Sequence, residues 1–303
     1  MLIATDQPYD VASTLECGQA FRWRRSVPVE AGGDAWYEGV VFGNVVGLRQ
    51  HPDGIEFRCG PDNESTMSGP LRHYLRLDDD LRSIYRTITV DEHISGAVER
   101  YPGLRIVRQD PWECLISFIC SANSNIRRIT ANVEDMSSTL GRPIELGGRR
   151  WQAFPSPEEL AAAGEGRLRE LGLGFRAKYV ASVANIVANG GIDLLGMREA
   201  SYDDTLQALV ALPGVGDKVA NCVMLFSLDK LDAFPVDVWV HRALVDWYPT
   251  EVANGKPLSR TDMRLWAQDR FKPYAGYANQ YLFHDRRLLG RKAGSGGQSH
   301  GAR

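Results

Sequence analysis

The stretch LPGVGDKVANC, Leu212 to Cys222, decides how this chain is read. Before it, Ser201 to Leu212 has the grammar of one helix, with Ser201 as N-cap, Asp204 at N3 and an apolar face of Leu206, Leu209 and Val210. Pro213-Gly214-Val215-Gly216 is then a tight turn, and Asp217 to Ser227 a second helix. The two glycines allow unusual dihedrals and a close approach of backbone to a ligand, and the free N–H groups at the start of the second helix point toward an anion. An ordinary helical hairpin with Lys218 as a solvated charge fits LPGVG equally well. Two things count against it: a lysine in a first helical turn is disfavoured by the helix dipole, and Asp237 follows in FPVDVW, fifteen residues after Cys222.

Outward from the hairpin, the chain divides by pattern. Its first sixty residues read as strands: QAFRWR alternates, with Phe21 and Trp23 on one face and Arg22 and Arg24 on the other, and Gly43-Asn44 and Asp53-Gly54 punctuate WYEGVVF, VVGLRQ and IEFRC as hairpin turns. From about Pro70 helices take over. Asp110-Pro111-Trp112-Glu113 offers an N-cap, a proline at N1 and a carboxylate at N3, and Ser156-Pro157-Glu158-Glu159 repeats that arrangement. Tyr179, Val180, Val183, Ile186 and Val187 follow helical spacing until Asn189-Gly190-Gly191, and Asp237 would cap a helix from Val238 to about Trp247. The expected class is α+β: an antiparallel β domain with short helices over 1–100, a helical domain over 101–292, and a flexible Gly/Ser-rich tail over 293–303.

Composition narrows the function classes. At 303 residues, 44% hydrophobic and 24% charged, the chain is expected to fold as a soluble globular protein. No apolar run reaches the roughly 18 residues of a membrane span, and the N-terminus lacks a signal-peptide pattern. Cys17, Cys59, Cys114, Cys120 and Cys222 are scattered without a CxxC pair, which argues for reduced thiols rather than a zinc site, an iron–sulfur cluster or a disulfide framework. A net charge of -3 argues against a strongly basic nucleic-acid binder, but charge can be local: His284 to Arg303 carries Arg286, Arg287, Arg291, Lys292 and Arg303 against Asp285.

With LPGVGDKVANC and FPVDVW stand four further stretches, CGQAFRW, FICSANSNIRRI, LGLGFRAKY and YAGYANQYLF. In this set and order the chain resembles the helix-hairpin-helix (HhH-GPD) DNA glycosylases, and within them the 8-oxoguanine DNA glycosylase/AP lyases, from about Gly18 to Phe283. The resemblance implies an all-helical glycosylase domain behind the β domain and a bifunctional enzyme of base excision repair. Lys218 is the implied nucleophile on C1′ of the damaged nucleotide, leading through a Schiff base to β-elimination. Asp237, which on its own residues is as well explained as a plain helix cap, is the implied catalytic carboxylate, stabilising positive charge on the sugar.

A base turned out of the duplex needs stacking surfaces and a reader. The resemblance places Cys222 and Phe283 on its two sides, the Gly18 carbonyl at the N7–H of the oxidised guanine, and Asn279 at the Watson–Crick edge. It assigns Asn123 to the gap left in the duplex, Arg128 and Arg176 to the orphaned cytosine, Phe175 to an aromatic wedge, and the N–H groups of Gly214, Gly216 and Val219 to phosphate. Taken singly, Phe283 and Cys222 also fit a core, Gly18 a bulge, and Asn123 and Arg128 a hydrophilic loop. The sequence departs from the family in carrying Asn279 for a glutamine (with Gln280 beside it), Phe175 for a tyrosine, Ser124 for an asparagine and Trp239 for a histidine. The implied partner is duplex DNA holding oxidised guanine opposite cytosine. No cofactor or metal is implied for the chemistry, although the hairpin carbonyls could hold a monovalent cation beside DNA.

The expected protein is a monomer, bacterial and cytoplasmic or nucleoid-associated by default, nuclear if eukaryotic. The alternatives are a monofunctional glycosylase for another damaged base and a non-enzymatic hairpin module that only grips DNA. Lys218 argues against an alkylated-base relative, and no cysteine follows Cys222 to build the four-cysteine cluster of the thymine-glycol and adenine relatives.

Overall fold

The computed structural model describes residues 1–26, 35–146, 149–249 and 259–295. Five strands form one antiparallel sheet in the order β1-β5-β4-β3-β2: β1 Leu2–Ala4, β2 Arg24–Arg25, β3 Tyr37–Val41, β4 Asn44–His51 and β5 Gly54–Gly60. Register runs through Val41↔Asn44 and His51↔Gly54, so both turns sit one residue earlier than expected from the Gly and Asn positions. The first turn is Phe42-Gly43, both at positive φ (50° and 73°), as a two-residue hairpin turn that matches strand twist requires. Asn44 instead opens β4, where its side chain joins the Phe42 carbonyl to Asp62.

One face of the sheet is covered by α1 (Val11–Glu16) and α2 (Glu64–Tyr74), with Ile3, Val46, Leu48, Ile55, Phe57, Leu71 and Tyr74 in a small core. The short helix α1 lies within the first sixty residues, which read as strands in the sequence; Asp10 caps it, accepting from Ser13 N–H. A second, larger core is helical. It is built by α3 (Leu81–Ile88), α4 (Glu92–Arg100), α5 (Pro111–Cys120), α6 (Ile126–Leu140), α7 (Pro157–Glu170), α8 (Ala177–Ala188), α9 (Tyr202–Val210), α10 (Asp217–Ser227), α11 (Val238–Trp247), α12 (Arg260–Phe271) and α13 (Ala275–Ser295). A two-stranded hairpin, β6 Pro143–Leu146 and β7 Arg149–Gln152, stands between α6 and α7. The tail expected over 293–303 lies, from 296 on, outside the described residues.

QAFRWR is not a strand, because its two aromatics serve different cores. Phe21 packs edge-on against Phe118 in the helical core, whereas Trp23 covers Gly39 and donates to the Tyr74 hydroxyl beside the sheet. The segment is the crossing between the two cores, and the fully buried Gln19 ties it down. Its amide donates to the carbonyls of Thr14 and Arg105, both at 2.8 Å, and accepts from Val107 N–H, while its own carbonyl accepts from Gln109. Nearby, Arg108 bridges Asp78 and Asp229, both at 2.7 Å, and Arg76 pairs with Asp229. A buried polar group left without partners costs more than a made bond gains, so this joint admits one alignment of the two parts.

Asp110 caps α5 as expected, accepting from the N–H groups of Trp112 and Glu113. Glu113, however, does not close a capping box. Its carboxylate turns toward the buried Arg22 at 3.6 Å, and burial pushes it up to about 7. The reciprocal box does form at Ser156 and Glu159. A carboxyl whose folded pKa is raised favours the fold below its unfolded value, and that contribution is lost as pH rises through about 7. Glu113→Gln should therefore gain stability relative to the parent between about pH 5 and pH 8 in urea titrations, whereas a pH-independent difference would contradict the burial argument.

Candidate active site

The site begins at the hairpin. Gly214 has φ +79°, and a Cβ there would lie 2.5 Å from the Tyr179 ring of α8, so this position excludes other residues on both backbone and steric grounds. Gly216 is the N-cap of α10 without a side-chain cap; a Cβ there would meet nothing within 4 Å. The first N–H groups of α10, those of Asp217, Lys218 and Val219, therefore lack intrahelical acceptors beside open space. Behind them, Asp217 pairs with Arg264 of α12 at 3.2 Å, Arg264 donates to the Tyr202 hydroxyl, and Tyr202 donates to Asn221. Sequence reading missed this brace of Tyr179, Tyr202, Asn221 and Arg264, since none of these residue types signals a role without its neighbours.

Lys218 leaves the start of α10 and reaches across to the end of α5. Its Nζ donates to Ser121 Oγ at 3.0 Å and lies 5.1 Å from the centre of the Phe118 ring. Ser121 is the C-cap of α5, where the helix presents its negative end. The lysine's position is thus explained by a second helix terminus rather than by its own.

Lys218, Ser121 and Phe118 line a cavity of about 630 Å³ together with Gly18, Asn123, Val219, Cys222, Asp237, Asn279 and Phe283. Asp237 caps α11, its carboxylate accepting from Val240 N–H at 2.8 Å. Burial raises its pKa above the ordinary carboxylate value, opposed by that hydrogen bond, by Lys218 and by Arg260. Burial likewise pushes the Cys222 thiol up to about 11, against the attraction of Lys218. Gly18 has φ +89°, which favours glycine, and a Cβ there would push the end of the Ile126 side chain of α6, 2.7 Å away.

Other expected site residues are placed differently. Asn279 lines the cavity, but its amide N–H donates to the Pro235 carbonyl at 3.0 Å. Its neighbour Gln280 also lines the cavity, with a buried Nε2 that meets no hydrogen-bond acceptor. Asn123 is exposed at the cavity and holds φ 49°, a conformation asparagine tolerates. Arg176 is buried. Instead of projecting outward it clamps the Asn123 loop, donating from Nε to Ala122 O at 2.8 Å and from Nη2 to Asn123 O at 2.8 Å. Phe175 is 46% exposed, with the Arg176 guanidinium against its ring. Arg128 is exposed on the first turn of α6 and does not line the cavity, which Arg127 does.

The helix α13, which carries Asn279, Gln280 and Phe283, is bolted to the N-terminal half by Tyr277 on Asp79 (2.6 Å) and by Tyr281 on Leu104 O (2.9 Å). The described part of the basic run expected after His284 is engaged in contacts within the chain. Asp285 pairs with Arg100, Arg286 pairs with Asp246, and the buried Arg287 donates to Glu16 O. Arg303 lies outside the described residues.

The comparisons with known proteins agree with this geometry. Residues 1–115 match the family model of the 8-oxoguanine DNA glycosylase N-terminal domain, and 116–268 that of the HhH-GPD superfamily base excision DNA repair proteins. The N-glycosylase/DNA lyase OGG1 of Arabidopsis thaliana is 34% identical over 89% of this chain and 75% of its own length. An N-glycosylase/DNA lyase of Saccharomyces cerevisiae is 33% identical over 90% of this chain and 82% of its own. The Clostridium acetobutylicum 8-oxoguanine glycosylase/lyase, solved with duplex DNA containing cytosine opposite the lesion, superposes with a TM-score of 0.85 at 30% identity, over 96% of this chain and 98% of that one. An antiparallel sheet joined to a helical hairpin domain, a lysine and a carboxylate on one cavity, and these likenesses together show that the chain belongs to the HhH-GPD superfamily of base excision DNA repair proteins, in its 8-oxoguanine glycosylase branch.

Proposed function

We propose that this protein is a bifunctional DNA glycosylase/AP lyase that turns 8-oxoguanine out of duplex DNA, excises it and nicks the abasic strand. The observation that carries this reading is the convergence of Lys218 and Asp237 on one cavity beside the hairpin. A module that only grips phosphate needs the glycine turn but neither the cavity nor the amine. A volume of about 630 Å³ lies within the usual range for a small-molecule pocket and suits a flipped base.

The chemistry follows from the groups present. As the glycosidic bond stretches, positive charge grows on the sugar, and the Asp237 carboxylate, held by Val240 N–H, stabilises it. The neutral Lys218 amine forms a bond to C1′ while the base departs with the bonding pair and takes up a proton. Opening of the sugar ring gives an iminium; loss of a C2′ proton then expels the 3′ phosphate, and hydrolysis returns the lysine. Cys222 and Phe283 are the proposed flanks of the base, Gly18 the reader of its N7–H, and Asn123 with Phe175 the groups that enter the duplex opposite cytosine. Arg176 supports them by fixing the Asn123 backbone, and exposed Arg128 is left as the cytosine reader. Backbone N–H groups of Gly214, Gly216 and Val219 grip phosphate, which gives affinity despite a net charge of -3. One chain carries both reactive groups, so the proposed working form is a monomer.

Borohydride should trap the parent protein on a duplex with one 8-oxoguanine opposite cytosine, and Lys218→Gln should give neither trapped complex nor nick; trapping by the variant would remove Lys218 as nucleophile. Asp237→Asn should slow excision by about 100-fold or more. Because Asp237 acts as the carboxylate and its pKa is raised, its protonation should add to the loss of parent activity at low pH from above the ordinary carboxylate range, and that contribution should be missing in the variant. Gly214→Ala meets both a left-handed backbone, costing about 1–2 kcal/mol, and the Tyr179 ring. Its affinity for undamaged duplex in fluorescence anisotropy should fall by about tenfold; unchanged affinity would argue against the hairpin as the phosphate grip.

A further inference from the structure

We propose that Ser121 is a positioning residue for the Lys218 nucleophile, an inference that rests on the catalytic reading above. The Ser121 hydroxyl has its own proton committed: Oγ donates to the Phe118 carbonyl at 2.6 Å. What it presents to the cavity is therefore lone pairs, and the contact with Lys218 at 3.0 Å runs from the amine to the hydroxyl oxygen. In the neutral amine, one N–H is directed at Ser121 and the nitrogen lone pair points away from it. The Phe118 ring, 5.1 Å from Nζ, closes off another direction. Cys222 and Asp237 line the same cavity, so the contact with Ser121 holds Nζ at the wall of the space where a sugar carbon would sit.

This matters because a lysine side chain has about 2 kcal/mol of rotamer entropy and no intrinsic aim. A mislaid attacking atom is costly: about 1 Å can lose a factor of 100. Ser121 itself is rigidly placed as the C-cap of α5, with its backbone N–H on Phe118 O at 3.1 Å and Ala122 N–H on Ile119 O at 3.3 Å. These backbone bonds remain when the hydroxyl is removed, and Ser121→Thr, which keeps both the bond to Phe118 O and the lone pairs, separates loss of the lysine contact from any loosening of the end of α5.

The experiment compares Ser121→Ala and Ser121→Thr with the parent in three measurements. These are the single-turnover excision rate on the 8-oxoguanine duplex, the affinity for that duplex, and the NMR signal of the Lys218 side chain in lysine-labelled protein, assigned by its loss in Lys218→Gln. We expect Ser121→Ala to excise about 10- to 100-fold more slowly at unchanged affinity. Its Lys218 signal should move, and Ser121→Thr, which keeps an Oγ, should restore both rate and signal. An alanine variant within about twofold of the parent rate, a threonine variant as slow as alanine, or an unmoved Lys218 signal would overturn the proposal. A parent that excises nothing would instead overturn the catalytic reading, and the Lys218 signal would still decide whether Ser121 holds the amine.

Discussion

The site depends on the meeting of two helix ends. The C-terminus of α5, with Phe118 and Ser121, lies against the N-terminus of α10, with Lys218. A lysine in a first helical turn is in an unfavourable field, and its side chain is long enough to leave it for a favourable one. The same crossing leaves the opening N–H groups of α10 directed outward beside Gly216, available to an anion. One packing contact therefore separates the two tasks of the hairpin. The start of α10 has no side-chain cap, Asp217 turns to Arg264, and Lys218 turns inward to the cavity.

That crossing is held from both sides. On one side Asp217, Arg264, Tyr202 and Asn221 brace α10 against α9 and α12. On the other, the joint around Gln19, Arg105, Arg108, Asp78 and Asp229 sets the N-terminal half against the helical core, and Tyr277 and Tyr281 carry that constraint into α13. Gly18 comes from the N-terminal half, Phe283 from α13 and Lys218 from α10, so the cavity exists only when all three are aligned. Gln19, Arg105 and Arg108 are buried and hydrogen-bonded across the joint. Such networks penalise any shifted alignment more than an apolar contact does.

The departures from the family pattern have visible physical consequences. Asn279 is too short to do two jobs, and its amide is engaged by Pro235. The cavity then has Gln280 as the neighbouring amide with a buried, unpartnered N–H. Trp239 packs across Gly290, where a Cβ would lie 2.8 Å from the indole, so it is held against α13 rather than left free at the surface. Phe175 keeps an exposed face, supported by the Arg176 guanidinium that also fixes the loop of Asn123.

Much of this was legible in the sequence because it is local. Caps at Ser201 and Asp237, the two glycines of the hairpin, the switch from period two to helical spacing and the collinear motifs all depend on residues within a few positions of one another. They specified an α+β chain, a glycine-turned helical hairpin, and a lysine in its second helix with a carboxylate downstream. What the sequence could not specify is set by distant contacts. QAFRWR alternates like a strand, yet Phe21 and Trp23 part into two cores. Glu113 sits at N3 but turns to Arg22, Arg176 has a reader's chemistry but a clamp's contacts, and Ser121 is an unmarked serine until Lys218 arrives from 97 residues away. Local patterns decide dihedrals and the faces that must be buried; which polar group meets which is decided only when the cores close and each buried donor must find its acceptor.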